Sequence, residues 1–120
     1  MKLILLEDDP LILVCTQDAL AEAGFEVFPA DTGAEALGLL SDEPDCLVMM
    51  VDIRVRDELN GWEVARRARK AQPNVAIVYT TTAEGTDFIR EGVHRSILLQ
   101  KPYTLNRAVN AARDACLKIK

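Results

Sequence analysis

Short, continuous apolar segments recur along this chain, and charged or hydroxyl side chains follow directly at their ends. The two strongest segments cover residues 2–6 and 46–51, and they end at Glu7 and Asp52. Continuous apolar runs of this length are typical of strands that are buried on both faces of a parallel sheet. This feature predicts an α/β fold with polar side chains gathered at the ends of its strands.

Stretches with apolar residues at helical spacing separate these segments. Strands are predicted at residues 2–6, 25–29, 46–51, 75–79 and 96–100. Helices are predicted at residues 10–23, 33–43, 62–71, 83–92 and 105–118, the fourth with a short and weak pattern. Such alternation with short connections implies parallel pairing and helices on both faces of the sheet. The sequence therefore predicts one doubly wound (βα)5 domain over residues 1–120.

Helix signals refine this prediction. Pro10 suits a first helical position, Thr32 and Glu35 have the form of a capping box, and Thr104 can cap the last helix. In the first helix the residues predicted to face the core are Leu11, Val14, Cys15 and Ala19. In the last helix they are Leu105, Ala108, Val109, Ala112 and Cys116.

Composition narrows the class of protein. The 120 residues suffice for one domain, and 49% of them are apolar, so one core can form. No apolar run is long enough to span a bilayer, and the apolar start is too short for a signal peptide. A formal charge of −5, without a long basic run, disfavours direct binding to nucleic acid or to an anionic membrane.

The three cysteines are Cys15, Cys46 and Cys116, an odd number at wide spacing without a CxxC pair. This pattern disfavours a disulfide framework and a zinc site. All three are predicted to be small core or near-core residues in a reducing compartment, which predicts a cytoplasmic location.

Four predicted strands end at side chains that can ligate a cation or contact an anion. They are Glu7, Asp8 and Asp9 after the first strand, Asp52 at the third, Thr81 or a neighbour at the fourth and Lys101 at the fifth. In an open parallel sheet these ends share the edge where ligands bind. If these four strands are adjacent, we expect the side chains to converge on one pocket.

Three acids at one edge need a compensating charge, because two carboxylates about 4 Å apart repel by roughly 4 kcal/mol at an effective dielectric constant of about 20. A hard divalent cation such as Mg²⁺ answers this requirement. Lys101 supplies a second positive charge, and Thr81 supplies a hydroxyl donor for a phosphoryl oxygen. Asp52 has no acidic neighbour in the sequence, which suits a nucleophile that forms an acyl phosphate.

In combination, these motifs resemble those of the receiver domains of two-component response regulators, over essentially the whole chain. Residues 3–10 resemble the first strand and acidic pair of that family, and Val51-Asp52-Ile53 resembles its phosphoacceptor segment. Lys101-Pro102-Tyr103 resembles its lysine motif, with a cis-type peptide and a following aromatic residue. The resemblance implies the flavodoxin-like strand order 2-1-3-4-5.

The resemblance also implies a role for each acid. Asp52 is implied as phosphoacceptor and metal ligand, and Asp8 as a direct carboxylate ligand of Mg²⁺ or Mn²⁺. Arg54 is implied to ligate the ion only through its backbone carbonyl, and Glu7 to support the site from just outside the ligands. Asp9 falls at a position where the family varies.

Two more residues are implied to meet the phosphoryl group. Lys101 would contact it, and Thr81 would be the switching hydroxyl, with Thr82 followed by Ala83 as a rival register. The implied donor is a histidine kinase or a histidine phosphotransfer protein, and the chain would catalyse only its own phosphorylation and dephosphorylation. Dimerisation through the last two helices and strand five is a habit of the family.

Several positions depart from the family pattern. Arg56 stands where proline is frequent in the family. The loop from Asp52 to Gly61 is one residue longer than the corresponding loop of the family. With Thr81 as the switch residue, Thr82 stands where alanine or glycine is usual, and Leu98 replaces the switch aromatic on the fifth strand. We therefore expect the chain to retain the phosphoryl-transfer chemistry of the family and to differ from it in the surface that signals to output partners.

Three rival interpretations belong to other classes. A receiver-like module that binds partners without phosphorylation is disfavoured by the intact acids, the threonine and Lys101, and Arg56 and Leu98 leave it open. A haloacid-dehalogenase-type phosphatase would need a second aspartate where Arg54 stands. A flavodoxin-like electron carrier would need a glycine- and hydroxyl-rich loop after the first strand, where the acids from Glu7 to Asp9 would repel a flavin phosphate.

Two other features stand apart from this constellation. The third helix carries a basic face of Arg66, Arg67, Arg69 and Lys70, predicted to be solvated or to meet an acidic partner. His94 lacks a partner motif and is predicted to be a surface histidine, and Trp62 is predicted to pack beside the loop after Asp52.

Overall fold

The computed structural model describes residues 1–56, 58–82 and 87–119. It contains five parallel strands in the order β2-β1-β3-β4-β5, as the resemblance implied. The strands are β1 (Lys2–Leu6), β2 (Glu26–Ala30), β3 (Val48–Asp52), β4 (Ala76–Thr81) and β5 (Ser96–Gln100). The first and fifth ranges agree with the sequence prediction residue for residue, and the others are shifted or lengthened by one or two residues.

Five helices alternate with these strands. They are α1 (Pro10–Glu22), α2 (Gly33–Asp42), α3 (Gly61–Ala71), α4 (Phe88–Glu91) and α5 (Leu105–Ile119). The predicted fourth helix began at Ala83, and its residues 83–86 lie outside the described residues. In the part of the chain that the structure describes, no helix combines the length and the apolarity needed to cross a bilayer.

Side chains that alternate along the strands divide the core into two layers, because successive residues of a strand point to opposite faces. Ile4, Met49 and Ile77 lie on the face that α2 and α3 cover. The other face, which α1 and α5 cover, carries Leu3, Val48, Met50, Ala76 and Val78. The predicted doubly wound architecture is therefore confirmed.

Polar side chains cap the N-termini of helices that flank the sheet. The Asp9 carboxylate accepts hydrogen bonds from the backbone of Leu11 and Ile12, which caps α1. Thr32 caps α2 as predicted, and its hydroxyl accepts from the Glu35 N–H at 3.1 Å. Such caps bond backbone N–H groups that the helix leaves without partners.

The predicted inward face of α1 is wrong. Leu11 and Val14 are 73% and 54% exposed, and Cys15 is exposed, so this cysteine is not a core residue. The residues that pack against the core follow the stripe of Leu13, Thr16 and Leu20 instead. Residues 11–15 are all apolar, so helical spacing matched more than one face and tertiary packing decided between them.

The prediction for α5 holds better. Ala108 and Ala112 are fully buried, and Val109 and Cys116 pack at the edge of the core. Leu105 is 44% exposed, contrary to prediction, because it occupies the first helical position beside an open groove.

Gly61, the first residue of α3, permits a close approach of two backbone segments. A Cβ atom there would lie 2.6 Å from both the Asp52 carbonyl oxygen and the Ile53 Cα, neither of which can move aside easily. We expect Gly61→Ala to lower the free energy of unfolding by about 3 kcal/mol, the upper range for overpacking. Urea unfolding curves measure this change.

The matched control is Gly38→Ala in α2, where a Cβ atom would meet nothing within 4 Å. Alanine has the higher helix propensity, so this variant should gain up to about 1 kcal/mol. Equal stability of the Gly61→Ala variant and the wild type would contradict the close approach.

Candidate functional site

The end of β1 brings two acids to the carboxyl edge of the sheet. Glu7 is only 2% exposed, and its backbone N–H donates to the Ala30 carbonyl, which extends the pairing with β2. Its carboxylate also accepts from the Asp9 N–H at 3.1 Å. Asp8 lies at the surface of the same edge with its side chain 17% exposed. Asp9 serves as the α1 cap, which gives this residue a structural role.

The end of β3 places Asp52 at the centre of the edge, because β3 pairs with both β1 and β4. Asp52 is 5% exposed. Its Oδ1 accepts from the Arg54 N–H at 3.0 Å, and its Oδ2 lies 3.1 Å from Lys101 Nζ. The two oxygens of one carboxylate are thus held by the following loop and by the lysine after β5.

Lys101 joins two of the acids. Its ammonium lies 2.7 Å from Glu7 Oε1 as well as 3.1 Å from Asp52 Oδ2, and its side chain is 10% exposed. Its backbone N–H donates to the Thr81 carbonyl at 2.7 Å. The Lys101–Pro102 peptide bond is cis, as the resemblance implied. The predicted convergence of Lys101 on Asp52 is therefore present, and the contact with Glu7 is an addition to it.

Thr81 is the last residue of β4 and is 3% exposed. The strand register pairs Asp52 with Thr80, so Thr81 lies one residue beyond the level of Asp52. Thr82 follows the strand and is exposed, where it lines the groove between α1 and the segment after β5. Burial at the strand end favours Thr81 over Thr82 as the hydroxyl of this site, and the switching role of Thr81 stays a prediction.

The charge states of the buried pair Glu7 and Lys101 depend on one another. Burial raises the pKa of Glu7, although hydrogen bonds from Lys101 and from the Asp9 N–H oppose this shift. Burial alone would lower the pKa of Lys101, but the hydrogen bond to Glu7 and the charge of Asp52 outweigh it, so the pKa is raised. Lys101 therefore remains an ammonium and compensates only part of the charge of three acids.

The acids of this edge fit a metal ion. Carboxylate oxygens of Glu7, Asp8 and Asp52 lie within 4.8 Å of one another. All three donors are oxygens, which suits a hard divalent cation such as Mg²⁺ or Mn²⁺ and not a soft one. Asp8 and Asp52 would hold the ion, and the Arg54 carbonyl as a further ligand stays a prediction.

Arg56 contacts the acid that is predicted to bind the metal directly. Its backbone N–H donates to Asp8 Oδ2 at 2.8 Å, and its Nε lies 3.4 Å from the same oxygen. The sequence marked Arg56 as a departure from the family pattern but could not predict this contact, because the intervening loop decides which side chain returns to Asp8. The exposed guanidinium places a competing positive charge beside the candidate metal site.

We expect Arg56→Ala to bind Mg²⁺ about threefold more tightly than the wild type, because exposed ion pairs contribute up to about 1 kcal/mol. Isothermal titration calorimetry with Mg²⁺ and electron paramagnetic resonance with Mn²⁺ measure this affinity. Arg67→Ala, which removes an exposed arginine paired with Glu63 on α3, is the control and should bind as the wild type does. Unchanged or weaker affinity in Arg56→Ala would contradict the competition.

An aromatic cluster lies beneath the site on the face that α2 and α3 cover. The Tyr79 ring lies 4.6 Å from the Trp62 ring and 6.0 Å from the Phe88 ring, centroid to centroid. The Tyr79 hydroxyl accepts from the Val93 N–H at 3.0 Å. Leu98 lies opposite Tyr79 in the register of β4 and β5 and packs against the same side of the core, at the strand-five position where the family pattern has an aromatic side chain. Tyr79 stands two residues before Thr81 on the same strand, but nothing in the sequence pattern distinguished it from the other apolar residues of β4.

Known proteins resemble this chain in sequence and structure. A family model described as the response regulator receiver domain matches residues 3–113. Response regulator receiver protein CpdR of Brucella abortus (strain 2308) is 33% identical over 111 residues, which cover 91% of each chain. Transcriptional regulatory protein GlrR of Escherichia coli (strain K12) is 34% identical over 79 residues, which cover 66% of this chain and 17% of the relative. A response regulator receiver protein from Sinorhizobium medicae WSM419 is 30% identical with a TM-score of 0.93, covering 100% of this chain and 97% of that one.

Proposed function

The chain belongs to the response regulator receiver family of two-component systems, and we propose that it accepts a phosphoryl group onto Asp52 from a phosphohistidine of a partner protein. The observation that carries this proposal is the convergence of Asp52, Asp8 and Lys101 at one edge of the sheet. Asp52 is the acid at the centre of that edge, held on both oxygens by neighbouring groups.

The proposed reaction is a direct transfer. An Asp52 carboxylate oxygen attacks the phosphorus atom, the phosphorus–nitrogen bond of the phosphohistidine breaks, and the imidazole leaves with the electron pair. The product is an acyl phosphate on Asp52. Lys101 neutralises charge on the phosphoryl oxygens, so catalysis consists mainly of positioning and electrostatic stabilisation. Mg²⁺ or Mn²⁺, when bound by Asp8 and Asp52, supplies further positive charge at those oxygens.

The proposed partners are a histidine kinase or a histidine phosphotransfer protein, and the proposed location is the cytoplasm. The chain would turn over only its own phosphoryl group and would not act as an enzyme on a separate substrate. Phosphorylation would shift a conformational equilibrium through Thr81 to the surface near α4. A homodimer through α4, β5 and α5 is a further proposal drawn from the family.

The function is tested with acetyl phosphate as the donor and intact-mass spectrometry as the readout. The wild type should gain the mass of one phosphoryl group with Mg²⁺ and gain nothing with excess chelator. The second candidate is a module that binds partners without phosphorylation, which the Arg56 contact with Asp8 favours. A folded chain that gains no phosphoryl group at saturating Mg²⁺ would support that candidate instead.

A further inference from the structure

The structure contains a cleft that the proposed function does not use. It has a volume of about 470 Å³ and lies between α3 and the segment that joins α4 to β5. Its basic side chains are Arg66, Arg69, Lys70, Arg90 and Arg95, and we call it the basic cleft. The chain carries 14 Lys and Arg residues against 19 Asp and Glu residues, so this concentration of cations runs against the overall charge.

The cations of the basic cleft fall into two sets. Arg66 and Arg90 are balanced by three carboxylates. Both lie near Glu91, at 3.3 and 3.4 Å, and in addition Arg66 lies 3.6 Å from Glu63 and Arg90 lies 2.9 Å from Asp87. Three other cations have no carboxylate within 4.0 Å among residues 1–56, 58–82 and 87–119: Arg69, Lys70 and Arg95. The positive charge at this end of the cleft is therefore uncompensated by the described chain.

Arg69 is the fixed member of this second set. Its Nε donates to the Val75 carbonyl at 3.0 Å, and its Nη1 donates to the His94 carbonyl at 2.6 Å. Its Nη2 is buried and has no hydrogen-bond partner within the described structure. Burial lowers the pKa of Arg69, and the nearby charge of Arg95 lowers it further. An always-charged guanidinium, held in place through Nε and Nη1, thus lies close to a second cation, and it contributes its charge to the cleft and not a free donor.

Arg95 adds an independent backbone observation. Its φ of 58° lies in the left-handed region, which side chains other than glycine adopt only at a cost. The residue precedes β5 and is exposed. The two charges of Arg69 and Arg95 are thus brought near each other without a carboxylate between them in the described chain.

We propose that the basic cleft binds an acidic segment of a partner protein, whose carboxylates lie between Arg69 and Arg95. Arginine is enriched in protein interfaces and pairs with carboxylates through its planar fork of donors. A nucleotide fits less well, because the described lining of the cleft consists mainly of charged side chains and contains no Phe, Tyr or Trp on which a base could stack. Glu91 and the net charge of −5 disfavour a nucleic-acid backbone. The binding does not depend on phosphorylation of Asp52.

The test is a nuclear magnetic resonance titration of the full chain with a short blocked oligoglutamate peptide. The amide signals of residues 69–70 and 92–95 should shift and saturate. The double variant Lys70→Gln/Arg95→Gly should bind about tenfold more weakly, since it removes two of the charges. Glycine accepts the φ of residue 95, and Arg69 keeps its two carbonyl contacts, so this variant should fold.

Two controls define the outcome. Arg67→Gln removes an α3 arginine that does not line the cleft and should bind as the wild type does. An oligoglutamine peptide should produce no saturating shifts. Equal binding of the double variant, or equal binding of the oligoglutamine peptide, would overturn the proposal. Saturable binding of inorganic phosphate without any peptide binding would also overturn it, in favour of a small oxyanion site.

Discussion

Asp52→Asn is expected to abolish phosphoryl uptake completely. The asparagine amide keeps the shape of the side chain but lacks the anionic oxygen that attacks phosphorus. The remaining acids should not substitute, because Glu7 is buried against Lys101 and Asp8 is held by Arg56. Intact-mass spectrometry after incubation with acetyl phosphate and Mg²⁺ measures the uptake.

Asp9→Asn is the matched control for this loss. Asp9 lies in the same acidic segment, but its carboxylate caps α1, and asparagine caps helices equally well. The control should therefore keep wild-type uptake and wild-type stability. Phosphoryl uptake by the Asp52→Asn variant at the wild-type level would place the acceptor elsewhere.

Lys101→Met is expected to lower the free energy of unfolding by about 3 kcal/mol at neutral pH, the lower end of the range for breaking a buried ion pair. The substitution leaves the buried carboxylates of Glu7 and Asp52 without their shared cation. Urea unfolding curves in metal-free buffer measure the change. The control is Lys2→Met, which removes a lysine that pairs with Glu43 and Asp45 at the surface. It should lower the free energy of unfolding by only a small fraction of the loss in Lys101→Met.

The pH dependence gives this prediction a distinct signature. The folded pKa of Lys101 is raised, so its stabilisation is fully present below the ordinary pKa of 10.5 and is lost as the pH rises through the folded value. In the variant, Glu7 loses the cation that opposes the upward shift of its pKa by burial, so the folded state takes up a proton at Glu7 more readily than in the wild type. The folded pKa of Glu7 already lies above its ordinary value of 4.5 and rises further without Lys101, so the stability difference between the two proteins should shrink as the pH falls from neutral toward 4.5 and level off below it. A difference that stays constant across this range would argue against an ion-pair origin.

Much of the fold could be predicted from the sequence because the strands are strongly apolar and end abruptly. The segment before Glu7 and the segment before Asp52 are buried on both faces, so no choice of face was needed to place them. The strand order came from the resemblance and not from the residues. Helix α1 shows the limit, because five successive apolar residues, 11–15, do not indicate which face packs inward.

The composition of the candidate site could be predicted for a topological reason. Parallel strands bring their carboxyl ends to one edge, so Asp52 and Lys101 had to lie near each other if their strands were close. The contacts of Glu7 with Lys101 and of Arg56 with Asp8 could not be predicted, because side-chain rotamers and loop conformation decide them. For the same reason, the sequence showed a basic face on α3 but not that Arg69 and Arg95 line the same cleft.

The most direct test of the central claim is to locate the phosphoryl group by chemistry. Borohydride reduces an acyl phosphate on aspartate to homoserine, and tandem mass spectrometry of the digested chain then identifies the residue. After incubation with acetyl phosphate and Mg²⁺, we expect homoserine at position 52 and at no other acid. Homoserine at Asp8, the corresponding five-carbon alcohol 5-hydroxynorvaline at Glu7, or a phosphoryl group retained on His94 would contradict the account.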